Sequence, residues 1–415
     1  MTAVDVTAIV PTYNRAEYLG ACLGSILGQT RPPQQVIVVD DGSTDGTADV
    51  IRSYGSSLEH LRQEENAGKA AALNRALARA RGEAIWIFDD DDVALPEALE
   101  LLGQALAAHP RAGFAFGGHE SFSAPDEPVA PRAPTVEPSL DLDDLFHDVL
   151  SRRVYVFQAA TLVRRRCYDE VGPFDETFVR AQDFDMLTRL AARFEATQVD
   201  AVVFRQRQHS GDRGPAHLRI DGREVWDRQY RFDVEVARKV HRTMPLDVFL
   251  ARRDRARASA MDGAALLRRS AVMLQWGLWD AAREDLRALA TAPVERAVRS
   301  RIAVDFRMGA ERLSLVLDQA PAVLDDARAL PPGPVRDELV AVLLWPLVRQ
   351  AAKAALRGRV RSTEAKLVGA RRDLLRPAVL VRLGRVGAAR VAGGVRRRAG
   401  AALAGRAAAS EPTGA

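Results

Sequence analysis

The sequence predicts an α/β fold with a mostly parallel sheet and helices on both faces, followed by an all-α C-terminal domain. Two observations predict it. Over the first 110 residues, short apolar runs rich in Val and Ile alternate with amphipathic segments, which is the pattern of βαβ units. After about residue 230 the strand patterns stop, and apolar residues recur three and four positions apart, as on the buried face of a helix. A chain of 415 residues is long enough for two or three domains.

Strands are predicted where β-branched or aromatic residues form short, nearly continuous runs, because a strand covered on both faces is apolar throughout its length. The run at 4–10 is the first, and the run at 35–39 is the second. The remaining strands are predicted at 58–62, 84–88, 113–117, 154–163 and 198–204.

Helices are predicted where Leu, Ala and Ile return at helical spacing. In the first of these, Leu19, Leu23 and Ile26 fall on one face. The predicted helices span 16–28, 44–54, 68–80, 95–108 and 183–194 in the first half, and include 264–276 and 279–290 in the second half. A proline-rich stretch at 124–138 is predicted to be a loop.

The charge of the chain is unevenly distributed. Residues 349–415 hold 16 Lys and Arg against three acidic residues, so the rest of the chain is acidic although the total is +4. A basic tail favours an anionic partner, here an anionic membrane surface, and its plain alternative is a solvated extension. Nucleic acid is not expected, because no aromatic residue lies beyond Trp345. We therefore expect a first domain at 1–228, a helical domain at 229–348 and an Arg/Ala-rich tail, helical or disordered, at 349–415.

The cysteine content and the termini indicate the compartment. Only Cys22 and Cys167 are present, which excludes a disulfide scaffold or a cysteine-rich zinc module and favours a reducing environment. The N-terminus has no basic segment followed by a long apolar run, so no signal peptide is expected. The longest apolar run, 339–348, is half the length that a spanning helix needs. These features predict a cytoplasmic protein with an optional peripheral association with the inner face of the membrane.

Polar clusters follow three of the predicted strands directly. The first strand ends in PTYNR at 11–15, the second in DDGSTDGT at 40–47, and the fourth in DDDD at 89–92. Ligands of open α/β sheets bind at the carboxyl ends of the strands, so these clusters are expected to converge on one acidic crevice. Four adjacent carboxylates are hard oxygen ligands that suit Mg²⁺ or Mn²⁺. The alternative is an acidic loop that caps the following helix.

Taken together and in this order, these segments resemble family 2 glycosyltransferases. The resemblance covers about residues 4–215 and is carried by VTAIVPTYNRAEYLGACLGSILGQT, VIVVDDGSTDGT, ENAGKAAALNRALARARGEAIWIFDDDD, RRRCYDEVGPFDETF and AQDFDMLTRLA. It implies the Rossmann-like GT-A fold for the first domain. It also implies an inverting, metal-dependent transfer of a sugar from a UDP-, GDP- or dTDP-sugar to a glycan or lipid-linked acceptor hydroxyl. The implied setting is the assembly of cell-surface polysaccharide or glycolipid.

The resemblance implies a role for each residue of the nucleotide site. Pro11 and Tyr13 would line the base, with Tyr13 stacking on it, and Asp41 would accept a hydrogen bond from the base edge. Glu17 would lie near the ribose. Lys69, at the start of a predicted helix, would face phosphate or ribose, and its alternative is a solvent-exposed lysine.

The family's DxD metal motif maps onto the four aspartates. Asp91 would bind the metal directly, and Asp89 would contact the ribose or the metal. Asp90 would belong to the nucleotide site. A shift of one residue in this assignment remains open, which leaves the roles of Asp90 and Asp92 undecided. The bound metal would assist departure of the nucleoside diphosphate.

The segment after the last predicted strand carries further candidates. By resemblance, His209 would be an additional ligand of the metal or the diphosphate, with His217 as its competitor for that role. Arg205 and Arg207 could pair with the diphosphate.

The predicted catalytic base is Asp183, in the motif QDFD at 182–185. Its carboxylate would take the proton from the acceptor hydroxyl as that oxygen attacks the anomeric carbon. The family's usual first Glu is replaced by Gln182, which removes one carboxylate from the acceptor side. The plain alternative for Asp183 is an acid favoured at a helix N-terminus. At the level of the whole protein, the alternative is a catalytically silent module that binds a nucleotide sugar, with a helical half that binds a membrane or a partner.

Overall fold

The computed structural model describes residues 4–123, 140–151, 156–208, 225–258 and 262–289. These residues divide into two compact units, with the boundary between Val236 and Ala237. The part of the predicted helical domain that follows residue 289, and the whole predicted tail at 349–415, lie outside the described residues.

The N-terminal unit contains an eight-stranded mixed sheet. Its spatial order is β3-β2-β1-β4-β7-β6-β8-β5. The strands are β1 (Val6–Thr12), β2 (Gln35–Asp40), β3 (Glu59–Arg62), β4 (Ala84–Ile87), β5 (Val93–Ala94), β6 (Ala112–Ser123), β7 (Thr161–Arg164) and β8 (Glu195–Gln208).

The half of the sheet that follows the βαβ pattern is parallel. β1 pairs in parallel with both β2 and β4, and β2 pairs in parallel with β3. Thr12 and Asp40 are opposite one another in the β1–β2 register, so the two strands end at the same level. The polar segments that follow these strands therefore begin side by side.

The other half of the sheet is mixed. β7 is antiparallel to β4 and β6, whereas β8 is parallel to β6 and antiparallel to the two-residue β5. Because β5 directly follows the four aspartates, its pairing brings the end of β8 next to them. This contact between distant parts of the chain shapes the candidate site described below.

Ten α-helices lie within the described residues. Those of the first 208 residues are α1 (Ala16–Leu27), α2 (Thr47–Ser53), α3 (Lys69–Leu77), α4 (Ala98–Ala108), α5 (Leu145–Leu150), α6 (Arg165–Val171) and α7 (Gln182–Arg193). The later ones are α8 (Val225–Thr243), α9 (Gly263–Gln275) and α10 (Trp279–Leu289).

The sheet of the N-terminal unit is covered on both faces, as predicted. On one face, Val10 and Trp86 join a fully buried core with Leu19 and Leu23 of α1 and with Leu102 of α4. The indole of this tryptophan donates a hydrogen bond of 2.8 Å to a backbone carbonyl, so its polar atom is satisfied inside the core. On the other face, alternate strand residues are buried where α3 contacts β1 and β2. The central strands β1, β2 and β4 are therefore buried along their whole length and mostly apolar, which is the signal that predicts them from the sequence.

The second half of the domain differs from the prediction in several places. The predicted strand at 154–163 is wrong over its middle, since residues 158–160 form a 3₁₀ turn and β7 begins at Thr161. The helices α5 and α6 and the short β5 were not predicted. α6 has a strongly charged sequence and only seven residues, and it ends at Gly172 with a positive φ of 84°. Such short elements are fixed by their neighbours in the fold rather than by their own periodicity.

The described part of the C-terminal unit contains only helices and 3₁₀ turns. α9 is capped by Asp262, whose carboxylate accepts hydrogen bonds of 2.9 and 3.0 Å from the backbone of the first turn. α9 and α10 are joined by Arg269, whose Nε donates to both carboxylate oxygens of the buried Asp285 at 3.0 Å. Among the described residues, no helix combines the length and the apolar character required to cross a membrane.

Candidate functional site

The ends of β1 and β2 are tied together by side chains of the polar segments that follow them. The backbone N–H of Asn14 donates to Ser43 Oγ at 2.9 Å, and Asn14 Oδ1 accepts from the Thr44 N–H at 2.8 Å. Asn14 has a φ of 52°, a left-handed conformation that asparagine tolerates better than most residues. Arg15 N–H donates to Thr47 Oγ1 at 3.0 Å. The PTYNR and DDGSTDGT segments therefore form one continuous edge.

Asp41 holds the turn that precedes α3. It is 4% exposed, and its carboxylate accepts hydrogen bonds from the backbone N–H groups of Ala67 and Gly68 at 2.8 and 2.9 Å and from the Gln63 side chain. Burial raises the pKa of Asp41, and these bonds act in the opposite direction. A carboxylate has about four lone-pair positions, so three bonds leave it room for one further donor. Asp41 therefore holds this turn in addition to the role at the base edge that the resemblance implies.

The other predicted nucleotide residues line the same end of β1. Pro11 is buried, Tyr13 is partly exposed, and Glu17 is exposed in the first turn of α1. Tyr13 and Asp41 directly follow the paired residues Thr12 and Asp40, so a partly exposed ring and an acceptor carboxylate follow neighbouring strand ends. These are the groups that a flat heterocycle with an N–H edge requires.

The carboxylates that follow β4 each have a different environment. Asp89 accepts a hydrogen bond from the ammonium group of Lys69, the first residue of α3. Asp90 lies 3.9 Å from the guanidinium Nε of Arg15. The alternative of a solvent-exposed lysine is therefore wrong, because Lys69 is ion-paired and only 28% of its side chain is exposed.

The electrostatic potential at this turn is strongly negative. Burial, followed by the charge of Asp91, raises the pKa of Asp90 to about 7. Burial lowers the pKa of Lys69, but the charges of Asp89 and Asp183 outweigh burial and raise it, so the ammonium stays protonated. A turn that cannot easily keep all its carboxylates ionised is one where a divalent cation is favourable.

The contacts of Asp92 set it apart from its neighbours. It is 5% exposed, and its Oδ1 accepts a hydrogen bond of 2.9 Å from the backbone N–H of Arg207 in β8. Its own N–H donates to the Asp89 carbonyl at 3.2 Å. The side chain of Asp92 is therefore turned toward β8, which favours Asp89 and Asp91 as the pair with D-x-D spacing. Their carboxylate oxygens and the charge excess fit Mg²⁺ or Mn²⁺.

The motif at 182–185 separates into residues with different surroundings. Asp183 is exposed in the first turn of α7, whereas Asp185 is buried and bonded to Arg189 at 3.0 Å. Gln182 is 7% exposed, and among the described residues its Oε1 has no hydrogen-bond partner. Ala181, immediately before α7, has a left-handed φ of 62°, which is strained for alanine. The base predicted from the resemblance thus sits on an exposed helix start with an unusual backbone.

Asp183 belongs to the same electrostatic environment as the aspartate turn. Its charge is among the causes that raise the pKa of Lys69, whose ammonium is bonded to Asp89. Asp183 is therefore close enough to Lys69 for their charges to interact.

The residues at the end of β8 are arranged differently from the expectation. Arg205 pairs with Glu120 in β6, and Arg207 Nε donates to the Asp91 carbonyl at 2.9 Å. Neither guanidinium is directed by these contacts toward a diphosphate. His209 and its competitor His217 lie outside the described residues.

The structure also contains one cluster of possible metal ligands that was not predicted from the sequence. Asp144, His147 and Asp148, in and before α5, offer ligand atoms that all lie within 4.8 Å of one another. The spacing D-x-x-H-D on a helix is the signal that could have indicated it. It is the one group of this kind among the described residues.

Comparison with known proteins identifies the N-terminal unit. The family model described as "Glycosyl transferase family 2" matches residues 7–171. The chain is 35% identical over 127 residues to the "Putative teichuronic acid biosynthesis glycosyltransferase TuaG" of Bacillus subtilis, covering 30% of this chain and 50% of that protein. It is 36% identical over 104 residues to glycosyltransferase GlyG of Streptococcus pneumoniae, covering 24% and 35%. The chain thus spans half or less of the length of these curated relatives.

The chain also matches solved structures at TM-scores below 0.5. TarS of S. aureus, residues 1–349, matches with a TM-score of 0.49 and 17% identity, over 88% of this chain and 92% of that one. The mannosyltransferase PcManGT from Pyrobaculum calidifontis, in complex with GDP-Man and Mn²⁺, matches with a TM-score of 0.42 and 20% identity, over 92% and 88%. By its family match, its named relatives and its strand-end motifs, the segment at 7–171 is similar to glycosyl transferase family 2, and its α/β sheet has the GT-A fold.

Proposed function

We propose that this protein is an inverting glycosyltransferase that moves a sugar from a nucleoside-diphosphate sugar to an acceptor hydroxyl. The observation that carries the proposal is the position of Lys69, which is bonded to Asp89 and interacts electrostatically with Asp183. One cation thus links the aspartate turn to the exposed carboxylate of α7. A donor site and a base at one crevice are the two parts that sugar transfer requires.

The nucleoside would bind at the edge formed by β1 and β2. Tyr13 offers a partly exposed ring for stacking on the base, and Pro11 would line the base as well. The free lone-pair position of Asp41 would accept a base N–H, and Glu17 would lie on the ribose side. Because Asp41 already fastens the turn before α3, base recognition and the position of Lys69 are mechanically linked.

The diphosphate would bind at the aspartate turn. Asp91 and Asp89 would hold Mn²⁺ or Mg²⁺, which when bound supplies Lewis-acid stabilisation of the departing nucleoside diphosphate. Asp90 would complete the nucleotide side of the turn, and His209 is proposed as a further metal ligand. Lys69 would add a second positive charge near the leaving oxygens.

Asp183 would act as the general base. It takes the proton from the acceptor hydroxyl while that oxygen forms a bond to the anomeric carbon and the bond to the diphosphate oxygen breaks. A single displacement inverts the anomeric centre. Asp183 is suited to this role because it is exposed, whereas Asp185 is already used by Arg189. The neighbouring Gln182 is uncharged, so it would not compete with Asp183 for the proton.

The proposed acceptor is a glycan or a lipid-linked glycan of the cell surface. The support for this class is the name of one relative, which places that protein in teichuronic acid biosynthesis. The basic segment at 349–415 would strengthen contact with an anionic membrane that presents such an acceptor.

A thermal-shift panel of UDP-, GDP-, dTDP- and CMP-sugars, with and without Mn²⁺, tests the donor half of the proposal. A ligand that binds only the native state raises the melting temperature by mass action. We expect a metal-dependent rise with one base, which Asp91→Ala abolishes. Asp49→Ala, which removes an exposed carboxylate of α2, is the matched control and should retain the rise. Equal rises in Asp91→Ala and wild type would contradict the metal assignment.

A further inference from the structure

Arg207 makes three kinds of contact with the region around the aspartate turn. Its backbone N–H donates to Asp92 Oδ1 and its side-chain Nε donates to the Asp91 carbonyl, both at 2.9 Å. Its guanidinium carbon lies 4.5 Å from the ring centroid of Phe122 in β6 and 5.0 Å from that of Tyr18 in α1. One side chain therefore connects β8, β6 and α1 to the turn.

These contacts fix the turn more firmly than its own sequence does. Four adjacent carboxylates repel one another, so the turn depends on contacts from other parts of the chain to keep its conformation. Arg207 adds a positive charge behind the turn, and the two aromatic rings restrict the plane of its guanidinium. Because Nε is bonded to a backbone oxygen, the bond sets the position of the peptide after Asp91 regardless of what the Asp91 carboxylate binds.

Asp92 is the second part of the same connection. Its carboxylate is buried and accepts the Arg207 N–H, so it anchors the end of β8 to the turn. The short pairing of β5 with β8 continues this contact on the next residues, with Val93 opposite Arg205. The turn is therefore fastened at Asp91 by a side chain and at Asp92 by a backbone group.

We infer that Arg207 is a positioning residue for the aspartate turn, with Asp92 as its anchor and not as a metal ligand. This inference rests on the proposed metal-dependent function, and it assigns to β8 the task of presenting Asp91. Partners that orient metal ligands from behind typically change metal affinity by 10- to 100-fold when they are removed. Asp92 must accept a hydrogen bond, but it need not carry a charge.

The test measures Mn²⁺ binding by the full chain, in the presence of a mixture of UDP, GDP and dTDP, from the electron paramagnetic resonance signal of free Mn²⁺. The variants are Arg207→Met, Arg207→Lys, Asp92→Asn and Asp91→Asn. Arg193→Met, which loses an exposed arginine paired with Glu170, is the matched control for charge. Hydrogen exchange of the amides at 89–94 in metal-free protein provides a readout that does not depend on binding.

We expect Arg207→Met to weaken Mn²⁺ binding at least about 10-fold and to speed exchange at 89–94, with partial rescue by Arg207→Lys. Asp92→Asn keeps an oxygen for the Arg207 N–H and should stay within about 3-fold of wild type, whereas Asp91→Asn should lose at least about 10-fold. Arg193→Met should match wild type. If Arg207→Met fails to fold, the contrast between Asp92→Asn and Asp91→Asn still decides whether Asp92 is an anchor or a metal ligand.

Three outcomes would overturn the inference. Wild-type Mn²⁺ affinity in Arg207→Met would show that the contact does not position the turn. A loss in Asp92→Asn as large as in Asp91→Asn would make Asp92 a metal ligand. Absence of Mn²⁺ binding by wild type with every diphosphate would instead contradict the proposed function itself, and the inference with it.

Discussion

Replacing Asp41 by alanine should destabilise the protein even when no nucleotide is present. The change leaves the backbone N–H groups of Ala67 and Gly68 without the acceptor that they have at 2.8 and 2.9 Å. A hydrogen bond to a charged group contributes about 1.5–3 kcal/mol to stability. Burial of the carboxylate offsets part of that contribution, so the lower end of the range is appropriate for each bond. Two bonds give a loss of about 3 kcal/mol.

For a folded unit of this size, a loss of about 3 kcal/mol lowers the melting temperature by roughly 6–12 °C. The assay is the thermal unfolding of the full chain in EDTA, followed by far-ultraviolet circular dichroism. Asp183→Ala is the matched control. Because Asp183 is exposed, this variant should melt within about 2 °C of wild type. If Asp41→Ala also melts within about 2 °C of wild type, the carboxylate does not hold the turn before α3, and the reasoning is refuted.

Three further predictions follow from the same structure. Lys69→Met should lower kcat/KM for the donor at least about 10-fold, with partial recovery in Lys69→Arg. Steady-state kinetics at saturating Mn²⁺ would measure both variants, and an unchanged kcat/KM in Lys69→Met would show that Lys69 is not part of the site. Because Asp90 has a pKa of about 7 when folded and near 4 when unfolded, the folded metal-free chain holds the extra proton. Its free energy of unfolding should therefore fall as pH rises from 5 to 8, and urea titrations should show a shallower fall in Asp90→Asn. Arg269→Met should destabilise the C-terminal unit by about 3–5 kcal/mol, because the buried carboxylate of Asp285 loses the guanidinium that is bonded to it. An unchanged urea midpoint for the loss of helix would contradict this prediction.

The sequence was most informative where the structure is local. β1, β2 and β4 are continuous apolar runs that end in polar clusters, and the parallel pairing aligns those ends, so the crevice could be predicted from pattern alone. The resemblance then supplied roles that the pattern could not. The four aspartates show what the sequence leaves undetermined, because they are the same residue type and only their contacts with residues distant in the chain distinguish them.

Those partners are far away in the chain. Arg207 lies 115 residues beyond Asp92, and no local periodicity records that the two are bonded. The same reason explains the error at 154–163, where residues 158–160 form a 3₁₀ turn and pairing with β6 and β4 begins only at Thr161 and Leu162. Both features are set by tertiary contacts, which override local preference.

The measurement that tests the central claim most directly is the release of nucleoside diphosphate from each nucleotide sugar, with water as the acceptor. Wild type, Asp91→Ala and Asp183→Ala would be compared with Mn²⁺ and with EDTA. The account predicts slow, Mn²⁺-dependent release from one class of donor, lost in Asp91→Ala and reduced in Asp183→Ala although this variant still binds the donor. Equal release by all three proteins would contradict the proposed roles of Asp91 and Asp183. No release from a donor that wild type demonstrably binds would contradict the proposed transferase activity and favour a silent nucleotide-sugar-binding module.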